Sequence, residues 1–141
     1  MADVHTPAIR SYNMSKIRSK NTQPEMLVRK YLFAHGFRYR LHRKDLPGNP
    51  DIVLPKYHTV IFVNGCFWHG HEQCKYFVIP KTKTEWWVNK INRNIYLDTE
   101  NIKKLKANKW NVITIFGCAL KKKTIDGTML ELIKNLKNFI Q

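Results

Sequence analysis

Acidic residues are scarce in this 141-residue chain: 10 Asp and Glu stand against 25 Lys and Arg, for a formal charge of +15. Such an imbalance repels most proteins and attracts polyanions, nucleic acid first and an anionic membrane second. Cysteine is equally sparse. Three cannot complete a disulfide framework, so a secreted, disulfide-stapled scaffold is excluded. No apolar run approaches membrane-spanning length, which argues against a membrane partner. The opening Met1-Ala2-Asp3-Val4-His5 has neither a basic n-region nor an apolar h-region, so a cytosolic setting is expected. Repeats, low-complexity tracts and linkers are missing too, and one domain over 1–141 is expected.

What is present is unevenly spread. Residues 10–44 hold ten basic side chains and one acid, Glu25. Positions 1–21 are polar, basic and aperiodic, an arm suited to DNA. Thr22-Gln23-Pro24-Glu25 fits a capping box, after which Leu27, Tyr31 and Ala34 give an apolar helical face and Gly36 a stop. Phe37, Tyr39 and Leu41 alternate with Arg38, Arg40 and His42, as in a half-buried strand with a basic outer face. Asp51–Leu54 and Thr59–Val63 read as a hairpin about Pro55-Lys56-Tyr57-His58.

Farther on, Trp87, Ile91, Ile95, Asp98, Ile102 and Leu105 form one stripe at helical spacing, predicting a helix from about Thr84 to Ala107. Trp110–Phe116 reads as a buried strand. Thr128–Glu131 offers a second capping box before Met129, Leu132, Ile133 and Leu136. The order is α-β-β-β-α-β-α, an α/β domain with helices covering a mixed sheet.

Chemistry concentrates around Gly65–Cys74, where an apolar strand breaks at a glycine. Cys66, Cys74 and Cys118 with one histidine would make a closed tetrahedral zinc set, and spacing leaves His69 and His71 competing for the fourth place. The bland alternative for Cys118 is an inert buried thiol. Asp51 either caps the preceding turn or holds Mg²⁺, which takes oxygen ligands and usually one or two carboxylates. Asp98 interrupts an apolar stripe. Burying even an unpaired polar group there costs about 2–7 kcal/mol, so it must pair with a lysine or orient a histidine or metal-bound water. The capping box accounts for Glu25, and a core position for Trp87. Phe67 and Trp68, in a tight turn with little core, suit stacking on bases or wedging between them.

These residues carry a resemblance. Leu46-Pro-Gly-Asn-Pro-Asp51, Val60-Ile-Phe, Gly65-Cys-Phe-Trp-His69, Thr84-Glu-Trp-Trp87, Lys90-Ile91, Asn94 and Cys118-Ala-Leu120, with Arg10-Ser-x-Asn-Met14, resemble the very short patch repair (Vsr) endonucleases along nearly the whole chain. The resemblance implies a restriction-endonuclease-like fold with a structural zinc site. It also implies Mg²⁺-dependent nicking of duplex DNA, 5′ to the thymine of a T:G mismatch left by deamination of 5-methylcytosine.

Asp51 and the Val63 carbonyl then match ligands of two catalytic magnesium ions, His69 the histidine that activates water, and Asp98 the acid near it. Glu25 matches an acid at the shell of metal-bound water, and Cys66, His71, Cys74 and Cys118 match the set for one zinc ion. Phe67, Trp68 and Trp87 match an aromatic wedge; Met14, Lys90 and Asn94 match residues near the mismatched pair. A monomer acting in the cytoplasm on nucleoid DNA, in contact with general mismatch-repair proteins, is implied as well. The chain departs from the pattern at Phe62 and Asn64, where the broader superfamily has an acid and a lysine, and its zinc turn is one residue longer at Glu72-Gln73. A related nickase or restriction nuclease with another target and a non-cleaving, zinc-stabilised mismatch-binding module are the alternatives.

Overall fold

A computed structural model describes residues 22–139; the expected arm, and Met14 within it, lie outside these residues. Helix α1 spans Gln23–Ala34, β1 Arg40–Leu41, β2 Ile52–Leu54 and β3 Thr59–Asn64. Helix α2 follows over Thr84–Ala107, then β4 over Asn111–Phe116 and α3 over Ile125–Asn138. Short 3-10 turns at Pro55–Tyr57 and Gly117–Leu120 close the hairpin and follow β4. The element order is the expected one.

The sheet runs β1-β2-β3-β4, antiparallel through β3 and parallel between β3 and β4. The parallel pairing sets Thr59 against Asn111 and Asn64 against Phe116, with α2 as the crossover. Such a crossover needs a connection of a dozen residues or more, which the 24-residue helix supplies. Strand alternation sorts the core into two layers. Ile52, Leu54, Ile61 and Ile115 face Val28 and Leu32 of α1 and Met129, Leu132 and Leu136 of α3. On the other face Val53 and Val60 meet Leu105 of α2, with Phe62, Trp110 and Val112 around them. All three residues of β2 are buried because both faces are covered.

Four local expectations need correction. Helix α1 buries Glu25, Val28 and Leu32, while Leu27 and Ala34 are exposed; the inward face is rotated to meet α3. The β1 alternation holds for Phe37, Tyr39 and Leu41, but His42 has φ 47° and turns out of the strand instead of continuing its outer face. Strand β4 is the sheet's edge and only Ile115 is fully buried in it. Helix α3 starts at Ile125, so Thr128 lies inside it, its hydroxyl donating to the carbonyls of Ala119 and Thr124 rather than capping.

The loop before β2 is held by Gly48, at φ +78°. A β-carbon there would lie 3.1 Å from both Asn101 Cβ and Phe62 Cζ. Gly48→Ala therefore combines a left-handed alanine with a tight contact and is expected to lower stability by about 1–3 kcal/mol. Thermal melting should show a loss of roughly 5 °C. An unchanged melting curve would mean that the loop relaxes freely around the new methyl group.

Candidate active site and metal cluster

Helix α2 is the rail on which the site is mounted. Trp87, Lys90, Asn94 and Asp98 recur at steps of three and four, so they share one face. Asn94 Nδ2 donates to the Trp68 carbonyl at 2.9 Å. One turn on, Asp98 Oδ2 lies 2.6 Å from His69 Nδ1. Asp98 thus takes the histidine-orienting alternative. A carboxylate only accepts, so Nδ1 is the donor in this pair, and in the neutral ring that tautomer leaves Nε2 as the acceptor. Gly70, at φ +58°, lets the turn lie directly on Ile91 and Ile95 of α2, where a β-carbon would come within 2.9 Å of both side chains.

The same turn builds an aromatic cluster. Phe67 packs edge-on against Trp68 and Trp87, each at a centroid distance of 5.3 Å, and Trp68 lies 5.6 Å from Trp87. Trp87 therefore belongs with these rings rather than with the main core, and all three are half-buried by one another instead of fully solvent-facing. Phe77 and Trp86 join them, Trp86 edge-on to Trp87 at 4.7 Å and 55% exposed. Neither was singled out from the sequence; the adjacency of Trp86 to Trp87 was the available signal.

Behind the rings, ligand atoms of Cys66, His71, Cys74 and Cys118 lie within 4.8 Å of one another. His71, not His69, is the histidine of this set. Its ring stacks on Phe116 at the end of β4 (centroids 3.9 Å apart), and its Nδ1 lies 3.4 Å from Cys118 Sγ. The Cys118 amide donates to Cys66 Sγ at 3.4 Å, which joins the turn to the segment after β4. Burial and the neighbouring thiols push the Cys118 thiol up to about 11, whereas the Tyr76 amide favours the Cys74 thiolate and lowers its pKa. Three thiols and an imidazole at this spacing fit a tetrahedral soft-ligand site.

Asp51 sits at the head of β2, and its Oδ2 accepts from the Val63 amide of β3 at 2.7 Å. Burial raises its pKa from 3.8 to about 6. The Val63 hydrogen bond opposes that rise, Glu25 adds to it, and His42 and His69 oppose it through their charges, so all four surround this carboxyl. Glu25 is only 1% exposed. Its amide donates to Thr22 Oγ1 at 3.4 Å, half of the expected capping box, but its side chain turns inward to His42 Nε2 at 2.9 Å and Arg29 at 3.3 Å. Capping therefore does not account for the carboxylate. Glu25, His42 and Asp51 form a second group whose ligand atoms lie within 4.8 Å. His42 was missed because strand alternation pointed it outward. Asn64 lines a cavity of about 20 Å³ with Asp98, Asn101 and Thr114.

A mixed sheet that gathers an inward carboxylate, a carboxylate-oriented histidine and a Cys/His group able to hold a metal beside half-buried rings defines a nuclease of the restriction-endonuclease-like class. The family model described as DNA mismatch endonuclease Vsr matches residues 2–75. The type II nicking enzyme V.NmeAIP of Neisseria meningitidis is 45% identical over 141 residues, spanning 99% of this chain and 100% of that protein. The type II nicking enzyme V.XorIIP of Xanthomonas oryzae is 47% identical, over 85% of this chain and 88% of that protein. The DNA mismatch endonuclease Vsr of Escherichia coli is 41% identical, over 86% and 77%. The chain belongs to the DNA mismatch endonuclease Vsr family, and its substrate is DNA.

Proposed function

We propose that this chain nicks duplex DNA on the 5′ side of the thymine of a T:G mismatch, the lesion left by deamination of 5-methylcytosine, with Mg²⁺ held at Asp51 and the Val63 carbonyl and Zn²⁺ held by Cys66, His71, Cys74 and Cys118. The observation that carries the reading is that one short turn bears both the ring pair Phe67-Trp68 and His69, and that α2 fixes both through Asn94 and Asp98. Rings that enter a base step thereby set the position of His69 on the neighbouring phosphate.

A wobble pair stacks poorly, so opening its step costs less than the few kcal/mol, roughly, that regular duplex demands. Phe67, Trp68 and Trp87 fill the opened step, and Lys90 and Asn94 stand beside the mismatched pair. His69 Nε2 takes the proton of the attacking water while Asp98 stabilises the imidazolium that results. Asp51 offers hard oxygen ligands in a half-buried place where a cation offsets its desolvation, which fits Mg²⁺. Magnesium bound there supplies Lewis-acid stabilisation of the charge gathering on the phosphoryl oxygens. Glu25 lies near enough to hold water of that ion's shell.

His69→Ala is expected to slow nicking by about 10²–10⁴-fold, the usual contribution of a positioned proton-transfer group, with little change in duplex binding by gel shift. Equal loss of binding and cleavage would instead make His69 a structural group. The Neisseria and Xanthomonas relatives are named type II nicking enzymes with no target stated, which supports nicking and leaves a nickase with another target as the second reading. Duplexes carrying each mismatch, and their matched C:G counterparts, decide between the two with purified protein and Mg²⁺. Selective nicking of T:G supports the first reading, and nicking of a different pair or of matched DNA overturns it.

A further inference from the structure

The Cys/His cluster joins two segments that each leave it with a lysine. Lys75 follows Cys74 directly, and Lys121 comes after Cys118, just past the 3-10 turn Gly117–Leu120. Both ammonium groups are drawn over one ring: Lys75 Nζ lies 5.2 Å and Lys121 Nζ 5.0 Å from the Tyr76 centroid. All three side chains are exposed, Tyr76 at 44%. Two like charges with open solvent around them are thus held together, and the ring's negative face offsets only part of their repulsion. An anion set between them would offset the rest. The ion pairs among the described residues include none of Lys75, Lys121, Lys122 and Lys123. The sequence has no acid between Glu72 and Glu85 or between Glu100 and Asp126, so both segments stay cationic. The ring itself is fixed. The Tyr76 amide faces the Cys74 sulfur, and the next residue, Phe77, lies edge-on to Phe67 with centroids 6.4 Å apart.

We propose that Lys75 and Lys121, gathered over Tyr76, form a phosphate-binding station for the DNA backbone outside the aromatic cluster. The inference rests on duplex DNA as the substrate and needs neither the T:G target nor the Mg²⁺ site of the reading above. An ammonium group binds phosphate as a point charge, and such contacts set the register of a duplex without reading its sequence. The cysteines that lead into the two lysines also carry the turn of Phe67, Trp68 and His69. The Cys/His cluster therefore has a second task, to fix where the backbone lies relative to those rings and that histidine.

The test uses the full chain loaded with Zn²⁺ and measures equilibrium binding over a range of salt, without Mg²⁺ so that nothing is cut. The probes are a duplex with one T:G pair and its matched C:G counterpart. The double variant Lys75→Gln, Lys121→Gln should flatten the log–log salt dependence by about 1.8, at about 0.9 for each phosphate released. At about 0.15 M salt its binding should be about 10–100-fold weaker, and equally so for both duplexes. Each single variant should show about half the change in slope, and arginine at both positions should restore binding. Lys134→Gln with Lys137→Gln, on the exposed side of α3, removes the same charge and should leave the slope within about 0.5 of the wild type. Hydroxyl-radical footprinting of the T:G duplex should lose protection at one cluster of sugars on one side of the mismatch and keep it elsewhere. An unchanged slope, a change no larger than that of the α3 pair, or an even thinning of the whole footprint would overturn the station, whichever duplex the chain nicks. A wild-type chain that binds neither duplex would overturn the DNA reading together with this inference.

Discussion

Asp51→Asn is expected to abolish nicking and, at the same time, to raise the melting temperature of the protein at pH 7 without added Mg²⁺. The two effects share one cause. Burial lifts the Asp51 pKa from 3.8 to about 6, so at neutral pH the folded chain holds an ionised carboxylate where a neutral group would be favoured. Between these values the folded state binds a proton that the unfolded state has released. The stability associated with that proton is fully present below about 3.8 and is lost as pH rises through about 6. A displacement of roughly two units corresponds to about 2–3 kcal/mol at pH 7.

Asparagine keeps an oxygen for the Val63 amide and carries no charge, so Asp51→Asn should recover about 2 kcal/mol, or roughly 5–8 °C. The gain should be nearly gone at pH 3.5, where Asp51 itself is mostly neutral in both states. Added Mg²⁺ should stabilise the wild-type chain and not the variant. In activity the sign reverses. Below pH 6 a proton competes with the cation for Asp51, and more Mg²⁺ should be needed for half-maximal nicking as pH falls. Melting curves at pH 3.5 and 7, with and without Mg²⁺, check the first claim. A variant that nicks, or one equally stabilised at both pH values, would sink the idea that this carboxyl is strained for the sake of an ion.

The site was legible in the sequence to the extent that its geometry is local. Helix α2 runs over Thr84–Ala107 as the stripe predicted, because 24 residues of consistent periodicity outweigh any single exposed member such as Ile95. The aspartate on that stripe had to find a polar partner, and it meets His69. Which histidine joins the cysteines was not legible from spacing. His69 and His71 are two residues apart in a turn, and only the backbone path, with Gly70 at positive φ, sends one to α2 and the other to Phe116.

Glu25 and His42 show the limit most plainly. A capping motif accounted for the first and strand alternation for the second, and both patterns see only a few neighbouring residues. Their contact joins positions 17 residues apart through a left-handed residue that no periodicity announces. Strand β4 reads as buried from its composition, yet it lies at the sheet's edge, since an apolar run carries no information about how many strands flank it. The start of α3 was missed because Thr128-x-x-Glu131 copies the spacing of a cap, while the chain already turns helical at Ile125.

Cys66→Ser should lose the bound metal and fold stability together, and with them all nicking, even though it touches neither Asp51 nor Asp98. Among the described residues, no helix or strand lies between Asn64 and Thr84. That stretch is tied down by a few hydrogen bonds, by aromatic packing and by the thiol cluster. Cys66 is the buried centre of the cluster: its carbonyl accepts from the His71 amide at 2.9 Å and its sulfur from the Cys118 amide at 3.4 Å. Serine keeps the size but not the soft thiolate that zinc requires, and three remaining ligands hold the ion weakly. Because structural zinc contributes on the order of 10 kcal/mol in small zinc-dependent folds, even partial loss should lower the melting point by well over 10 °C. The core between α1, the sheet and α3 contains no cluster ligand, so far-UV circular dichroism at low temperature should change little. Tryptophan emission from Trp68, Trp86 and Trp87 should shift markedly as the rings lose their packing. Metal analysis would then read well below one zinc per chain. If Cys66→Ser instead retains stoichiometric zinc and melts with the wild type, the cluster does not clamp the turn, and the rigid link between the rings and His69 must have another source.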